Sequence, residues 1–246
     1  MNARVREDPV VSFGGDEAAL DWLISRRRSI RAFLPVSVDT GTIEDVLRIA
    51  ARAPSGNNIQ PWRVHVVAGA KLAALVNAVC AAFDEGDDSH VPEYAYYPDE
   101  FFEPYLGRRR RSGWGLYARL GIEKSDRERM RVQTRRNFRF FDAPVGLIFT
   151  IDRRLGQGSW IDYGMFLQNV MLAAEARGLS TCAQAAWTPY HRIISDVLGF
   201  GEHEQLVCGM ALGYADPDAP ENALVTERAP LSEFVVMHGE GAVAEL

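Results

Sequence analysis

The spacing of apolar residues divides the chain into helical and extended stretches. Ala18, Leu20, Trp22 and Leu23 fit a helix capped by Asp16 and ending in Arg26-Arg27-Arg28. Ile43, Val46, Leu47 and Ala50 share one face of a helix over 40–52, and an Ala- and Val-rich run predicts another over 70–84. Trp62 to Val67 alternates and is β-branched, which predicts a strand. Further strands are predicted at Pro144 to Ile151, Ser180 to Ala186 and Leu206 to Tyr214. Helices are predicted through 113–120 and 125–138. Residues 158–177 are apolar almost all round, so that helix belongs in the core or an interface, with Gly178 as its C-cap.

Not every gap between strands is a single helical crossover. The pattern therefore predicts an α+β fold in which helices wrap a mixed central sheet. Residues 1–15 read as a loose arm and 16–246 as a single domain. An insertion or lid at about 85–125 is dense in aromatics and prolines, a pattern more typical of functional loops than of filler.

Composition narrows the function. The 246 residues are 47% hydrophobic and 24% charged, with net charge −6, an ordinary globular balance. An acidic chain is a poor binder of nucleic acid or anionic membranes. No stretch is apolar enough to span a bilayer, and a cytoplasmic location is expected. Three widely spaced cysteines read as reduced, buried thiols, and scattered histidines give no metal-ligand spacing. GxGxxG, GxxxxGK[ST] and GxSxG are all absent, which removes the main support for Rossmann, P-loop and α/β-hydrolase readings.

Three segments carry candidate chemistry. In Arg27-Arg28-Ser29-Ile30-Arg31, an extended backbone aims Arg27, Ser29 and Arg31 to one side, and arginine forks match phosphate oxygens. A solvated basic helix end is the competing reading. Pro54-Ser55-Gly56-Asn57-Asn58-Ile59-Gln60-Pro61-Trp62 groups side-chain amides that both donate and accept, suited to a heteroaromatic edge. A plain turn is the alternative. Ser180 to Trp187 places small residues and Gln184 at a strand end, which leaves room for a planar ligand or simply suits packing.

Taken together, RRSIRAF (27–33), APSGNNIQPW (53–62), DAPVGLIFTID (142–152), GSWIDYGMFLQNVMLAAEARGLSTCAQAAW (158–187) and LVCGMALGYAD (206–216) resemble the nitroreductase superfamily, in order, over about residues 20–235. The closest resemblance is to its nitrobenzoate-reductase-like subgroup, whose usual TCPQ reads Thr181-Cys182-Ala183-Gln184 here. The resemblance implies a nitroreductase-like fold in a domain-embracing homodimer with FMN at the interface. Arg27, Arg28, Ser29, Arg31 and Arg228 match its phosphate and ribityl contacts. Pro54, Ser55, Gly56, Asn57, Asn58 and Gln60 match the loop that reaches the flavin from the partner. Ala183, Gln184 and Ala185 match the segment near the N5 edge.

The implied activity is NADPH- or NADH-dependent reduction of nitroaromatic or quinone acceptors, by ping-pong hydride transfer through flavin N5, without metal or catalytic protein side chain. Tyr96, Phe101, Phe102 and Tyr105 are expected to contact a small aromatic acceptor, with Arg108 to Arg111 attracting an anionic group on it. The alternative is that these aromatics pack the dimer. Flavin or enone reduction, reductive dehalogenation, and a flavin-binding sensor or storage role are the other readings.

Overall fold

The computed structural model describes residues 15–239. The predicted arm therefore lies outside the described residues except for Gly15. Helix α1 (Asp16–Arg26) starts at Asp16 rather than being capped by it, and buries none of its residues. Helix α2 (Thr40–Ala50) is capped by Asp39, whose carboxylate accepts from the Thr42 amide, and buries Ile43, Val46 and Ala50. Strand β1 (Arg63–Ala68) and helix α3 (Gly69–Glu85) follow.

Helix α4 (Tyr105–Arg119) begins eight residues earlier than its apolar pattern predicts, so Tyr105 and Arg108 to Arg111 sit on a helix rather than in a loop. Pro104 occupies its N-cap, where the missing amide costs little. Helix α5 (Arg127–Arg135) is shorter than predicted and runs into a 3-10 segment, Arg136–Asp142, in which Phe140, Phe141 and Asp142 all have positive φ. Strand β2 (Val145–Asp152), helix α6 (Gln157–Glu175), strand β3 (Ser180–Gln184), a 3-10 segment Ala185–Tyr190, helix α7 (His191–Leu198) and strand β4 (Glu204–Gly213) complete the core. Gly178 has φ 70° past the end of α6, as its C-cap role requires. The sequence pattern did not anticipate α7. No described helix is long and apolar enough to cross a membrane.

The sheet has the order β1-β2-β4-β3, and every strand pair in it is antiparallel. This corrects the predicted mixed sheet. Helical connections read in sequence as parallel crossovers, but those joining β1 to β2 and β3 to β4 return the chain beside its origin in the opposite direction. α6 carries it past the position of β4 to the edge at β3. The isolated bridge between Ser29 and Thr181 is parallel.

Alternation along β2 sends Val145, Leu147, Phe149 and Ile151 to one face, packed with α2 and α6, and Ile148 to the other, packed with α3, α7 and the 3-10 segments. Two glycines on the central strands admit rings onto the second face. A Cβ on Gly209 would lie 2.4 Å from Trp187, and one on Gly146 2.6 Å from Phe140. Phe140 and Trp187 stack there with centroids 4.3 Å apart. This anchors the two 3-10 segments side by side, and with them the end of β3. Helix α6 buries one face only, leaving Ile161 70% and Met165 36% exposed on the other.

Candidate functional site

The segment 27–33 is extended and pairs with β3 through the Ser29–Thr181 bridge and an Ile30 amide donating to the Thr181 carbonyl at 3.0 Å. Arg27, Ser29 and Arg31 gather around the Cys182 thiol. Burial pushes that thiol's pKa up, while Arg31, Arg27 and a hydrogen bond from Ser29 pull the other way. Arg28 faces elsewhere, as strand alternation requires. It lines a cavity with Ile30 and donates to the Asn222 carbonyl at 2.9 Å. The neighbouring Arg26 pairs with Glu175 at 2.7 Å. Neither Arg27 nor Arg31 has an acidic partner among the described residues, so two guanidinium charges stand uncompensated beside a hydroxyl.

The same strand leads from this cluster to an open cavity of about 820 Å³ lined by Ala183, Gln184, Ala185 and Asn137 on one side. Ala183 pairs in register with Met210, so the backbone there is regular strand. Gln184 is only 3% exposed. Its Nε2 donates to the Asn137 carbonyl at 2.7 Å, and its Oε1 is buried without a donor among the described residues. A buried acceptor in that state calls for a partner.

The cavity's other side is the insertion, through Tyr94, Tyr96 and Tyr97. A β-bulge positions it: Phe149 pairs with Cys208 and Thr150 with Leu206, which leaves Val207 unpaired. The Tyr94 hydroxyl donates to the freed Val207 carbonyl, and its ring lies 4.5 Å from Trp160. Burial raises the Tyr94 pKa, so the phenol stays protonated. Of the predicted acceptor contacts, Tyr96 lines the cavity, and Phe101 touches its rim through Tyr97 at 5.4 Å. Phe102 and Tyr105 pack edge-on against each other outside it. None of Arg108 to Arg111 lines this cavity. Arg109 covers Phe101 at 4.4 Å, Arg108 pairs with Glu233 at 2.5 Å and Arg111 with Glu227 at 3.5 Å.

The 54–60 loop stands apart from both groups. Asp162 on α6 accepts from the Gly56 amide at 3.1 Å, and Ser55 Oγ accepts from the Gln60 amide at 3.0 Å. Asn57, Asn58 and Gln60 all have positive φ, an expensive conformation for residues with a Cβ. Pro54, Gly56, Asn57, Asn58 and Gln60 are exposed, so the loop holds its amides outward on a fixed backbone.

Arg228 lies in the tail beside Arg108 and Arg111, in a cavity of about 650 Å³, with Nη1 donating to Thr226 and to the Glu227 carbonyl. The described residues do not bring it into the cluster of Arg27, Ser29 and Arg31. What does join the tail to that cluster is Asn222, which sequence reasoning missed. It is 7% exposed, and its Oδ1 accepts from the Arg31 amide at 2.8 Å. Its Nδ2 donates to the Ala32 carbonyl at 2.8 Å and the Asp216 carbonyl at 2.9 Å. Next to it, buried Glu221 pairs with Arg136, one residue before the Asn137 carbonyl that holds Gln184. A lone Asn–Glu pair in a tail has no local pattern to mark it.

A model of the nitroreductase family matches residues 24–214. The chain is 42% identical to a nitrobenzene nitroreductase of Ectopseudomonas oleovorans over 215 residues, 87% of this chain and 95% of the relative. It is 40% identical to a 4-nitrobenzoate reductase of Pseudomonas putida, covering 89% and 95%. Among solved structures, it is similar to an FMN- and NADPH-dependent nitroreductase, NfnB, of Sphigopyxis sp. strain HMH. The TM-score there is 0.87 at 39% identity, over 89% of this chain and 98% of that one.

Proposed function

The chain belongs to the nitroreductase family, and from that premise we propose that it is an FMN-dependent NAD(P)H nitroreductase acting on nitroaromatic acceptors. The carrying observation is the pair of uncompensated guanidinium groups beside Ser29, joined by one strand to a buried amide oxygen that lacks a donor. A phosphate suits the first and a ring N–H the second. The residues present therefore fit FMN, with Arg27, Ser29 and Arg31 on its phosphate end and Gln184 and Ala185 at its ring.

FMN, when bound, supplies the two-electron carrier between nicotinamide and acceptor. The chain's own part is to hold and orient. Arg27 and Arg31 provide charge-assisted donors, and Asn222 fixes the backbone that carries Arg31. The Asn137 carbonyl holds the Gln184 amide in place beside the cavity. Tyr94 pins the insertion, and Tyr96 and Tyr97 offer ring faces to a planar acceptor.

We assign the exposed 54–60 loop, with Pro54, Ser55, Gly56, Asn57, Asn58 and Gln60, to the flavin site of a second copy in a homodimer. The bare outer face of α6 at Ile161 and Met165 supports that assembly. Arg228, away from the cluster of Arg27, Ser29 and Arg31, needs the tail to move or a second copy to bring it to the flavin.

The test is FMN titration of apoprotein, followed by flavin fluorescence. Arg31→Ala weakens binding by about tenfold to a hundredfold, the scale of a charge-assisted pair. Arg28→Ala weakens it far less, because that side chain faces away. Equal losses in the two variants overturn the assignment of the phosphate end.

A further inference from the structure

We infer that the acceptor cavity is built for uncharged nitroarenes and disfavours anionic ones such as nitrobenzoates. This rests on the nitroreductase reading and goes beyond it, since its curated relatives include both a nitrobenzene nitroreductase and 4-nitrobenzoate reductases.

Among the described residues, the cavity wall carries no lysine, arginine or histidine. Its ionisable acids are Glu93 and Asp99. Glu93 is held by Arg153 at 2.9 Å and faces His191 at 3.5 Å, so its charge is largely answered. Asp99 is exposed and has no ion pair among the described residues. The rest of the wall is tyrosine rings, the Asn137 and Gln184 amides and small or apolar residues. The four arginines whose sequence position invites a carboxylate are committed elsewhere or point away. Two pair with tail glutamates, one covers Phe101, and none lines the cavity.

The loop that a second copy would bring, Pro54 to Gln60, contains no charged side chain. An aromatic ring with a neutral substituent stacks on Tyr96 and Tyr97 without a desolvated charge.

The experiment uses the FMN-loaded enzyme with nitrobenzene as acceptor, and benzamide and benzoate as inhibitors competing with it. These two are nearly isosteric and carry no nitro group, so their inhibition constants read binding and not ease of reduction. Benzamide binds about tenfold more tightly than benzoate, the factor one unanswered carboxylate about 12 Å away supplies at an effective dielectric constant of about 20. Asp99→Asn improves benzoate binding severalfold and leaves benzamide unchanged. Benzoate binding as tightly as benzamide overturns the inference, and so does an Asp99→Asn variant that moves both inhibitors alike. A chain that binds no FMN and oxidises no NADPH brings down the nitroreductase reading itself, and this inference with it; tight benzoate binding by an active enzyme brings down only this inference.

Discussion

Asn222→Ala removes three side-chain hydrogen bonds of 2.8, 2.8 and 2.9 Å at a position only 7% exposed. It strands the Arg31 amide and the Ala32 and Asp216 carbonyls. At about 0.5–1.5 kcal/mol net for each bond, the loss is about 2–4 kcal/mol. For a chain of this size that lowers the melting temperature by about 5–15 °C. The effect reaches beyond stability, because the bond to the Arg31 amide sets where that guanidinium sits. FMN affinity of the folded variant, read by fluorescence titration well below its melting temperature, therefore falls about tenfold. Asn222→Asp keeps the acceptor for the Arg31 amide and loses the two donors, so it loses stability while retaining more FMN affinity than Asn222→Ala. If Asn222→Ala is destabilised yet binds FMN as the parent does, Asn222 braces the tail and does not position the phosphate site.

Two further outcomes come from the scaffold. Glu204 is partly buried, which opposes its ionisation. Hydrogen bonds from the Gly201 amide, His65, Thr150 and Arg63 outweigh that and hold its pKa at about 2, against 4.5 for the free side chain. Its contribution, about 3 kcal/mol, is fully present above pH 4.5 and is lost as pH falls toward 2. Urea denaturation of Glu204→Gln across pH 5 to 3 should show a correspondingly flatter decline than the parent; parallel curves contradict this. Gly209→Ala drives a methyl into the Trp187 indole and costs about 1–3 kcal/mol. Because Trp187 anchors Ala185–Tyr190, its fluorescence should shift as well, and an unshifted spectrum with full stability counts against the packing described.

The fold was legible where one element's own pattern decides it. The largely apolar β2, the amphipathic α2 and the glycine after α6 each carry a local signal. Strand direction does not, because pairing between distant segments sets it, and helical connections read alike for parallel and antiparallel neighbours. The start of α4 was hidden by Pro98 and Pro104, which signal a loop, although a proline at the N-cap is compatible with the helix it precedes. At the site, alternation separated Arg27, Ser29 and Arg31 from Arg28, and the structure keeps that separation. Asn222 and Glu221 were invisible because they act on residues nearly two hundred and eighty-five positions away respectively. The arginines after Tyr105 misled in the opposite way, since a run of charge says nothing about which neighbours it meets.

A bound flavin that passes electrons from nicotinamide to nitroarene is read out by anaerobic absorption spectroscopy of the FMN-loaded protein. NADPH or NADH should bleach the yellow band, and nitrobenzene added afterwards should restore it. A protein that binds no FMN, or whose bound FMN neither nicotinamide bleaches, contradicts the account.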